Sequence, residues 1–357
     1  MKKLSCTTES VHKTEIYIQK GLRDHLFELD SLFKKYRTIV IITDENVASY
    51  YLKGTAKQFA SFGGTVQQIV LEPGELTKNL GQAEEIYYKL AEFGVTRADA
   101  IVALGGGVIG DLAGFCAATY MRGIDLYQIP TSLIAMSDSA VGDKTGVDLD
   151  IGKNMVGTFY PAEAVFVDPV FLQTLDDRFF IDGMAEVIKY GCIASGKLFV
   201  RLTGYQYQED LLDDMDSVIA KCLQIKRNVV EEDERESGIR RILNFGHTIG
   251  HVIENYFGYG TYTHGEAVAI GMYNITRMSV REGITSEEDL ANLGQILDTY
   301  GLPKELPEMD LDRVNAILQN DKKFEGDVLN LCVMPQIGTA EIVRVHKNMA
   351  IELFQAE

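Results

Sequence analysis

The sequence predicts an α/β domain built on a parallel sheet, followed by a mainly α-helical domain. In the first half, short apolar runs typical of buried strands alternate with helix-like segments. The second half consists mostly of long segments with helical periodicity, and 357 residues are more than one hydrophobic core usually holds. We therefore expect an α/β domain over residues 1–174 and a mainly helical domain over residues 175–357.

The predicted strands of the first domain follow one another at regular intervals. In chain order they are TIVIIT, TVQQIVLEPG, DAIVALGGG and IDLYQIPTS. The segments between them, DENVASYYLKGTAKQFASFG, TKNLGQAEEIYYKLAEFGV and VIGDLAGFCAATYM, have apolar residues at helical spacing. Strands that alternate with helices in this way predict a doubly wound, Rossmann-like parallel sheet.

The second domain begins with a change of pattern. Two long segments, LLDDMDSVIAKCLQIKRNVVEEDE and SEEDLANLGQILDTYG, are expected to be helices, and Gly301 and Pro303 are typical stop signals after the second. Near the end, VLNLCVM and AEIVRV have strand character. We expect them to pair as a hairpin across Pro335 to Gly338.

Charge and composition narrow the classes of function. The formal net charge of −18 argues against nucleic-acid binding, which depends on clustered Lys and Arg. No apolar run is long enough to span a membrane, and the N-terminal residues lack the apolar core of a signal peptide. Five scattered cysteines fit a reducing compartment, so we expect a cytoplasmic protein. In so acidic a chain, cations that converge on one site indicate an anionic ligand.

Three of the six histidines lie in one stretch, NFGHTIGHVIENYFGYGTYTHGE. If its first part is helical, His247 and His251 share a face with Glu254, and the following Gly- and Tyr-rich turn places His264 beside them. Two imidazoles and a carboxylate from elsewhere form the three-ligand set of a catalytic zinc site. The alternative is that these histidines only make hydrogen bonds in a helix and a loop. For the group of three we favour a metal.

Three glycines, Gly105, Gly106 and Gly107, follow a predicted strand and precede a predicted helix. Glycine lets a phosphate approach the backbone, and the first turn of a helix offers unpaired N–H groups. The sequence GGGVIGD differs from GxGxxG, so a tight turn without a ligand is an equal alternative. Asp44, at the end of an earlier strand, favours NAD because it can accept hydrogen bonds from ribose hydroxyls. Its alternative role is to cap the next helix.

Cationic residues recur around a glycine-rich segment, SDSAVGDKTGVDLDIGKNMVG, and in the helical half. The candidates for binding an anion are Lys144, Lys153, Asn154, Lys226, Arg240 and Arg241. Each alone is more often a solvated surface group. In MAEVIKYG, Glu186 and Lys189 are one helical turn apart among apolar residues, and a half-buried carboxylate needs a cation or a metal. Glu186 is therefore our first candidate for the third metal ligand.

Together these segments resemble the 3-dehydroquinate synthase family. The matching motifs, from Thr38 to Ile342, are PGE-x-x-K, GGGVIGD, PTS, DS-x-VG-x-KTGV, GKN, AEVIKYG, LNFGHTIGH and HGEAVAIGM. Several of these motifs are long, so a chance match is remote. The resemblance implies a homodimer that uses NAD and a divalent metal, either zinc or cobalt.

The resemblance also implies a role for each matching residue. The metal ligands would be Glu186, His247 and His264, so that His251 would be either a neighbour that supports the ligands or a substrate contact, and not a ligand. The residues implied to bind NAD are Asp44, Asn46, Glu75, Lys78, Gly105, Gly106, Gly107, Asp111, Thr131, Ser132, Asp138, Lys144 and Lys153. The implied catalytic residues are Lys144, Lys189, Lys226, Arg240, Asn244, His251 and Asp138. The substrate would be bound by Lys153, Asn154, one lysine of the pair Lys322 and Lys323, and Arg122 from a neighbouring subunit.

The implied reaction belongs to the shikimate pathway of aromatic amino acid biosynthesis. It converts 3-deoxy-D-arabino-heptulosonate 7-phosphate, a phosphorylated sugar acid, to 3-dehydroquinate and phosphate. A ring carbon is oxidised transiently by NAD, phosphate is eliminated, the hydride returns, and an intramolecular aldol reaction closes the carbocycle. Because NAD is regenerated, the net reaction is that of a phosphate lyase.

The chain departs from the family pattern at Asp143 in place of Gly, at Ser132 in place of Thr, and at Asp148-Leu149 in place of Asn-His. Ser132 still offers a hydroxyl, whereas Asp143 is expected to weaken the attraction of Lys144 for an anion. The alternative functions are another sugar-phosphate cyclase, a metal-dependent alcohol or glycerol dehydrogenase of related fold, and a nucleotide-binding sensor. The intact KTG segment favours the synthase, and the intact metal and lysine sets disfavour the sensor.

Overall fold

In the computed structural model, a six-stranded parallel sheet forms the first half of the chain. The structure describes residues 12–205, 208–258, 260–319, 324–325, 328–346 and 350–354. The strands of this half are β1 (Glu15–Ile18), β2 (Thr38–Asp44), β3 (Thr65–Leu71), β4 (Ala100–Gly105), β5 (Asp125–Pro130), β6 (Lys144–Leu149), β7 (Gly152–Phe159) and β8 (Ala164–Val167). The order across the large sheet is β1-β8-β5-β4-β2-β3, and each neighbouring pair is parallel. The predicted Rossmann-like parallel sheet is confirmed.

Helices connect these strands. They are α1 (Asp30–Phe33), α2 (Glu45–Val47), α3 (Lys53–Ala60), α4 (Leu80–Glu92) and α5 (Gly107–Thr119). Short 3-10 helices lie at Leu22–Asp24, Leu26–Leu29, Glu75–Thr77, Tyr120–Arg122 and Pro169–Thr174, and π-helical turns lie at Ala48–Leu52 and Ala135–Ser139. Strands β2 and β4 are apolar and buried almost throughout because both lie in the interior of the sheet.

The sheet has its topological switch point between β2 and β4. From β2 the chain continues to β3 on one side, whereas from β4 it continues to β5 on the other. Ligands of open α/β sheets bind outside the carboxyl ends of the strands at such a point. Asp44 ends β2 and Gly105 ends β4, so the residues predicted to bind a dinucleotide flank this crevice.

The second half of the chain is mainly helical, as predicted. Its helices are α6 (Asp177–Ala194), α7 (Gly196–Thr203), α8 (Gln208–Asp213), α9 (Met215–Glu232), α10 (His247–Phe257), α11 (His264–Arg281), α12 (Glu287–Thr299) and α13 (Leu311–Gln319). Further 3-10 helices lie at Ile239–Asn244 and Ile351–Phe354, and three strands follow α13: β9 (Phe324–Glu325), β10 (Val328–Gln336) and β11 (Thr339–His346). The expected hairpin is confirmed, since β10 and β11 pair antiparallel.

The structure corrects the sequence prediction in two places. The long segment predicted from Leu211 to Glu234 is divided, because α8 ends at Asp213 before α9 begins. Strands β1, β8 and the antiparallel pair β6–β7 were not predicted, since β1 and β8 are only four residues long and β6–β7 is rich in glycine and polar residues. The pair β6–β7 packs against α5, where a Cβ at Gly114 would lie 2.5 Å from the Thr145 side chain.

The division of the chain at residues 174 and 175 stays a prediction. The last strand of the large sheet ends at Val167 and α6 begins at Asp177, which is compatible with it. Within the described residues, no helix combines the length and the apolar character that crossing a bilayer requires.

Candidate metal centre and anion site

Three helices bring a carboxylate and two imidazoles together. Glu186 lies in the middle of α6, and His247 and His264 are the first residues of α10 and α11. One ligand atom from each side chain lies within 4.8 Å of the other two. The Nε2 atoms of His247 and His264 are each 3.5 Å from Glu186 Oε1. The three side chains named from the sequence as metal ligands therefore do converge.

The close approach of α11 to α6 places His264. A Cβ at Gly265 would overlap the carbonyl oxygen of Asp182, so only glycine allows this packing. The Asp182 carboxylate also accepts a hydrogen bond from the Gly265 N–H. A capping box of Thr263 and Glu266 begins α11 at His264, which fixes where this imidazole leaves the helix.

The donor set fits a divalent metal. Glu186 is 1% exposed, and its Oε1 accepts no hydrogen bond from the part of the chain that the structure describes. A buried carboxylate oxygen without a partner is costly unless a cation binds it. The Nδ1 of His247 lies 3.1 Å from the Phe245 carbonyl oxygen and the Nδ1 of His264 lies 3.4 Å from Glu254 Oε2, so both Nε2 atoms face the carboxylate.

His251 does not belong to the group of ligand atoms that lie within 4.8 Å of one another. It is exposed, and its ring centroid lies 5.5 Å from that of His247 and 6.3 Å from that of His264. Spacing of four residues places His247 and His251 on adjacent turns, but the ligands come from two different helix starts. The geometry therefore agrees with the assignment by family resemblance and not with the simple pairing by helical spacing.

Charges around Glu186 keep it ionised. Burial opposes its charge, but Lys189 and His247 outweigh burial and lower the pKa of Glu186 to about 2. Lys189 is itself 1% exposed and contacts Glu186 directly. Burial likewise opposes a charge on His264, yet Glu254 and Glu186 raise its pKa to about 10. The carboxylates Glu254 and Glu186 therefore make this position favourable for positive charge.

A second ion pair, between Asp138 and Lys226, lies next to the pair of Glu186 and Lys189. Lys226 donates to the Asp138 carbonyl oxygen at 2.8 Å and lies 3.0 Å from its carboxylate, and the Tyr190 hydroxyl also contacts that carboxylate. Although burial opposes the charge, Lys226 and Lys189 lower the pKa of Asp138 below its ordinary value. Asp138 lies in a π-helical turn, a feature found often at functional sites. Tyr190 was not predicted from the sequence.

Arg240, in the helical half of the chain, forms a hydrogen bond with the glycine-rich segment. It is 2% exposed and donates a hydrogen bond of 2.6 Å to the Gly142 carbonyl oxygen. The next residue, Asp143, has a φ of 65°, a backbone conformation that suits the glycine found there in the family. Burial raises the pKa of the Asp143 carboxyl, and the charge of Arg240 partly offsets this rise. The expected weakening of Lys144 by Asp143 stays a prediction.

The hairpin β6–β7 carries the more accessible cations. The Lys144 side chain is 54% exposed and contacts Glu236, which also accepts from Asn244. Lys153 is 27% exposed and donates to Glu254 at 2.8 Å. Glu236 thus joins two predicted site residues, but the sequence did not reveal it, because it lies in the charged run EEDERES where no pattern distinguishes one acid from another.

The glycine turn at the switch point fits a phosphate. Gly106 precedes α5 without a side-chain cap, so the N–H groups of the first turn are not used by a capping side chain. A Cβ at Gly106 would lie 3.3 Å from Ser132 Oγ, and one at Gly107 would lie 3.2 Å from Ser139 Oγ.

Asp44 caps α2, because its carboxylate accepts a hydrogen bond of 3.0 Å from the Val47 N–H. Its second oxygen remains compatible with a ribose.

Next to this turn, three carboxylates surround one lysine. Lys78 Nζ lies 2.8 Å from Glu75, 3.2 Å from Asp111 and 3.9 Å from Asp148. Asp148 is one of the departures from the family pattern. Burial and then Glu75 raise its pKa to about 6, although Lys78 acts in the opposite direction. Its Oδ2 has no hydrogen-bond partner among the residues described here.

The remaining predicted residues differ in position. Thr131 is buried directly after β5, and Asn154 has a φ of 52° beside Lys153 in β7. Asn46 is exposed in α2. Arg122 lies exposed in the turn after α5, with a φ of 67°. Lys322 and Lys323 lie outside the described residues.

The architecture of the chain and its cluster of metal-competent side chains indicate an NAD- and metal-dependent type of enzyme. A parallel sheet with a glycine turn at its switch point, joined to helices that present a carboxylate and two imidazoles, combines a dinucleotide-binding fold with a metal centre. The family models for the 3-dehydroquinate synthase N-terminal and C-terminal domains match residues 68–182 and 183–324. The 3-dehydroquinate synthase of Clostridium acetobutylicum is 48% identical over 330 residues, which cover 92% of this chain and 93% of that protein. This chain belongs to the 3-dehydroquinate synthase family.

Solved structures of related cyclases are similar over nearly the whole chain. A 2-deoxy-scyllo-inosose synthase complexed with carbaglucose-6-phosphate, NAD+ and Co2+ is 27% identical, with a TM-score of 0.83 and 95% of both chains covered. ValA, the 2-epi-5-epi-valiolone synthase of Streptomyces hygroscopicus with NAD+ and Zn2+ bound, is also 27% identical, with a TM-score of 0.86 over 98% of this chain and 97% of that one. An iron-containing alcohol dehydrogenase, 12% identical with a TM-score of 0.66 over 98% of both chains, shares the fold alone.

Replacing Gly265 by Ala should separate α11 from α6. The new methyl group would overlap the Asp182 carbonyl oxygen, so we expect a loss of about 1–3 kcal/mol in the free energy of unfolding and a weaker zinc affinity. Urea unfolding and a competitive zinc titration measure the two effects. Gly54→Ala in α3 is the matched control, because a Cβ there meets nothing within 4 Å. Unchanged zinc affinity in the Gly265 variant would contradict this account of His264.

Replacing Asp148 by Asn should stabilise the protein above pH 6. The pKa of Asp148 is about 6 in the folded chain against about 3.9 in an unfolded one, so the folded chain binds more protons between these values. Its contribution to the free energy of unfolding therefore falls as pH rises through this range. We expect a Tm higher by roughly 2 °C at pH 8, with the difference vanishing below pH 4. Asp150→Asn, exposed in the same hairpin, is the control, and an equal gain at every pH would disprove the explanation.

Proposed function

We propose that this chain is a 3-dehydroquinate synthase, which converts 3-deoxy-D-arabino-heptulosonate 7-phosphate to 3-dehydroquinate and phosphate. The observation that carries the proposal is the contact between a metal-competent triad and a buried cation: Glu186 faces both imidazoles and contacts Lys189. A metal at the triad can polarise a substrate hydroxyl, and the adjacent cation Lys189 can attract an anionic group of the same substrate. The 48% identity to a 3-dehydroquinate synthase over nearly the full length supports the particular substrate.

We assign the cofactors to the two sites described above. NAD belongs at the switch point, with its pyrophosphate at the start of α5 and a ribose near Asp44. The divalent ion belongs to Glu186, His247 and His264. One similar cyclase structure holds Zn2+ and another holds Co2+, so either ion is compatible with the assignment. When bound, the two groups supply reversible hydride transfer and polarisation of a substrate hydroxyl.

The cations of the chain divide into two groups by exposure. Lys144 and Lys153 lie on the hairpin with partly exposed side chains, paired with Glu236 and Glu254, and we assign them to the phosphate and carboxylate of an incoming substrate. The buried cations are Lys189, Lys226 and Arg240. Their partners fix their positions, so they provide a positive electrostatic potential for an anionic substrate without rearranging. In a chain with a net charge of −18, this pocket should attract an anion at a rate that falls as salt rises.

The proposal extends to assembly and location. We assign a homodimer in which Arg122 of each chain completes the substrate site of the other, which agrees with the exposed position of Arg122. The NAD-binding domain is assigned to residues 1–174 and the metal- and substrate-binding domain to residues 175–357. A cytoplasmic location agrees with the buried thiols of Cys116, Cys192, Cys222 and Cys332, which form no disulfide among the described residues.

The alternative is an alcohol dehydrogenase, which shares the fold. It consumes NAD in equal amount with its substrate and releases no phosphate. Incubation of the purified protein with NAD and the heptulosonate phosphate, before and after chelation, separates the two. We expect phosphate and 3-dehydroquinate to form without accumulation of NADH, and the chelator to stop the reaction. Accumulation of NADH without phosphate would refute the proposed function.

Replacing Lys144 by Ala should impair phosphate elimination. Removal of one cation from the anion site should lower kcat/KM by about 10²-fold or more, because the developing charge on the leaving phosphate loses its partner. Continuous measurement of phosphate release gives the rate. Lys57→Ala, an exposed lysine of α3, is the control and should retain wild-type turnover. Wild-type turnover in Lys144→Ala would show that this lysine has another role.

Replacing Glu186 by Gln should abolish metal retention. The amide keeps the volume but lacks the negative charge that a divalent ion requires, and it leaves Lys189 buried without its partner. Metal analysis after gel filtration should find well below one zinc per chain. A full zinc content in this variant would remove Glu186 from the ligand set.

A further inference from the structure

A second buried carboxylate lies behind the metal centre. Glu254 of α10 is 4% exposed, and its Oε2 lies 3.4 Å from His264 Nδ1. Its other oxygen, Oε1, accepts a hydrogen bond of 2.8 Å from Lys153. The two oxygens of one carboxylate therefore contact a metal-ligand candidate and a cation of the anion site.

The contact between Glu254 and His264 determines which ring nitrogen of His264 can bind a metal. In a neutral imidazole one nitrogen carries the proton and the other presents a lone pair. If Nδ1 donates to Glu254, the lone pair is on Nε2, which is the atom 3.5 Å from Glu186. His247 has the same arrangement with the Phe245 carbonyl oxygen as the acceptor. The two imidazoles thus differ in the acceptor at Nδ1, which is a carboxylate for His264 and a backbone carbonyl oxygen for His247.

Helix packing fixes the position of Glu254. A Cβ at Gly250 would lie 3.2 Å from the backbone of Ala267, so α10 and α11 are in close contact at this point. Glu254 follows Gly250 by one helical turn and His264 begins α11, which brings the two side chains together across the contact. Lys153 reaches the same carboxylate from the hairpin β6–β7.

We propose that Glu254 is a positioning residue of the metal centre, which holds the ring and the tautomer of His264 and is itself held by Lys153. This inference rests on the metal site of the proposed function. A carboxylate behind a ligand imidazole increases the basicity of the ligand, and its loss typically weakens metal binding by about 10–100-fold. Lys153 acts through Glu254, so its own effect on the metal should disappear when Glu254 is absent.

The test uses the full chain, stripped of metal, with zinc titrated against a chromophoric chelator. We expect Glu254→Met to lower zinc affinity by about 10–100-fold, and Glu254→Gln to lower it less, because the amide oxygen still accepts from Nδ1. Glu92→Gln, at the exposed end of α4, should stay within about twofold of wild type. Lys153→Met should weaken zinc binding in the wild-type background and should have no further effect in Glu254→Met.

Two further measurements separate positioning from a general loss of stability. Thermal unfolding of the metal-free variants reports the fold, and the visible absorption of the Co2+-loaded protein reports the geometry at the metal. We expect the Co2+ bands to shift in Glu254→Met and to stay unchanged in Glu92→Gln. Zinc affinity in Glu254→Met within twofold of wild type, with unchanged Co2+ bands, would overturn the inference alone. Wild-type zinc affinity in Glu186→Gln would instead overturn the metal site itself.

Discussion

The site depends on the close approach of helices α6 and α11. Gly265 packs against the carbonyl oxygen of Asp182 where no side chain fits, and Glu186 lies one turn further along α6. This contact brings His264 to Glu186. A second glycine contact acts at the other end of the same helix stretch, where a Cβ at Gly271 would overlap the Gly246 carbonyl oxygen directly before His247. Backbone packing of glycines, more than any side-chain interaction, therefore places both imidazoles beside one carboxylate.

Buried charge is the second organising feature. The cations Lys78, Lys189, Lys226 and Arg240 and the carboxylates Glu186 and Glu254 are each less than 7% exposed. Taking such groups out of water is costly, and it is offset only where each has partners of opposite sign. Some partners are local, such as Glu186 for Lys189, and others come from distant parts of the chain, such as Asp138 for Lys226 and Glu254 for Lys153. The distant pairs join the two halves of the chain beside the candidate metal centre.

Two residues that depart from the family pattern, Asp143 and Asp148, lie beside buried cations. Asp143 has a positive φ, at a position where the family pattern has glycine. Its carboxylate interacts electrostatically with Arg240, which also donates a hydrogen bond to the carbonyl oxygen of Gly142. Asp148 adds a third carboxylate around Lys78 and stays partly protonated near neutral pH, since its pKa is about 6. Both changes alter the surroundings of the anion and nucleotide sites, while the triad and the buried lysines are kept.

From the sequence alone we predict the parallel sheet, the helical second half, the glycine turn and, through the family resemblance, the three metal-competent residues. These features were readable because strand and helix periodicity, a glycine run and clustered histidines are local patterns, and because the long motifs resemble one family. The tertiary structure was needed to show that Glu236 joins Lys144 to Asn244 and that Glu254 faces His264. Each of these depends on how helices and loops far apart in the chain pack together. Spacing along the sequence carries no information about such contacts, because helical periodicity specifies only which residues share a face and not what that face meets.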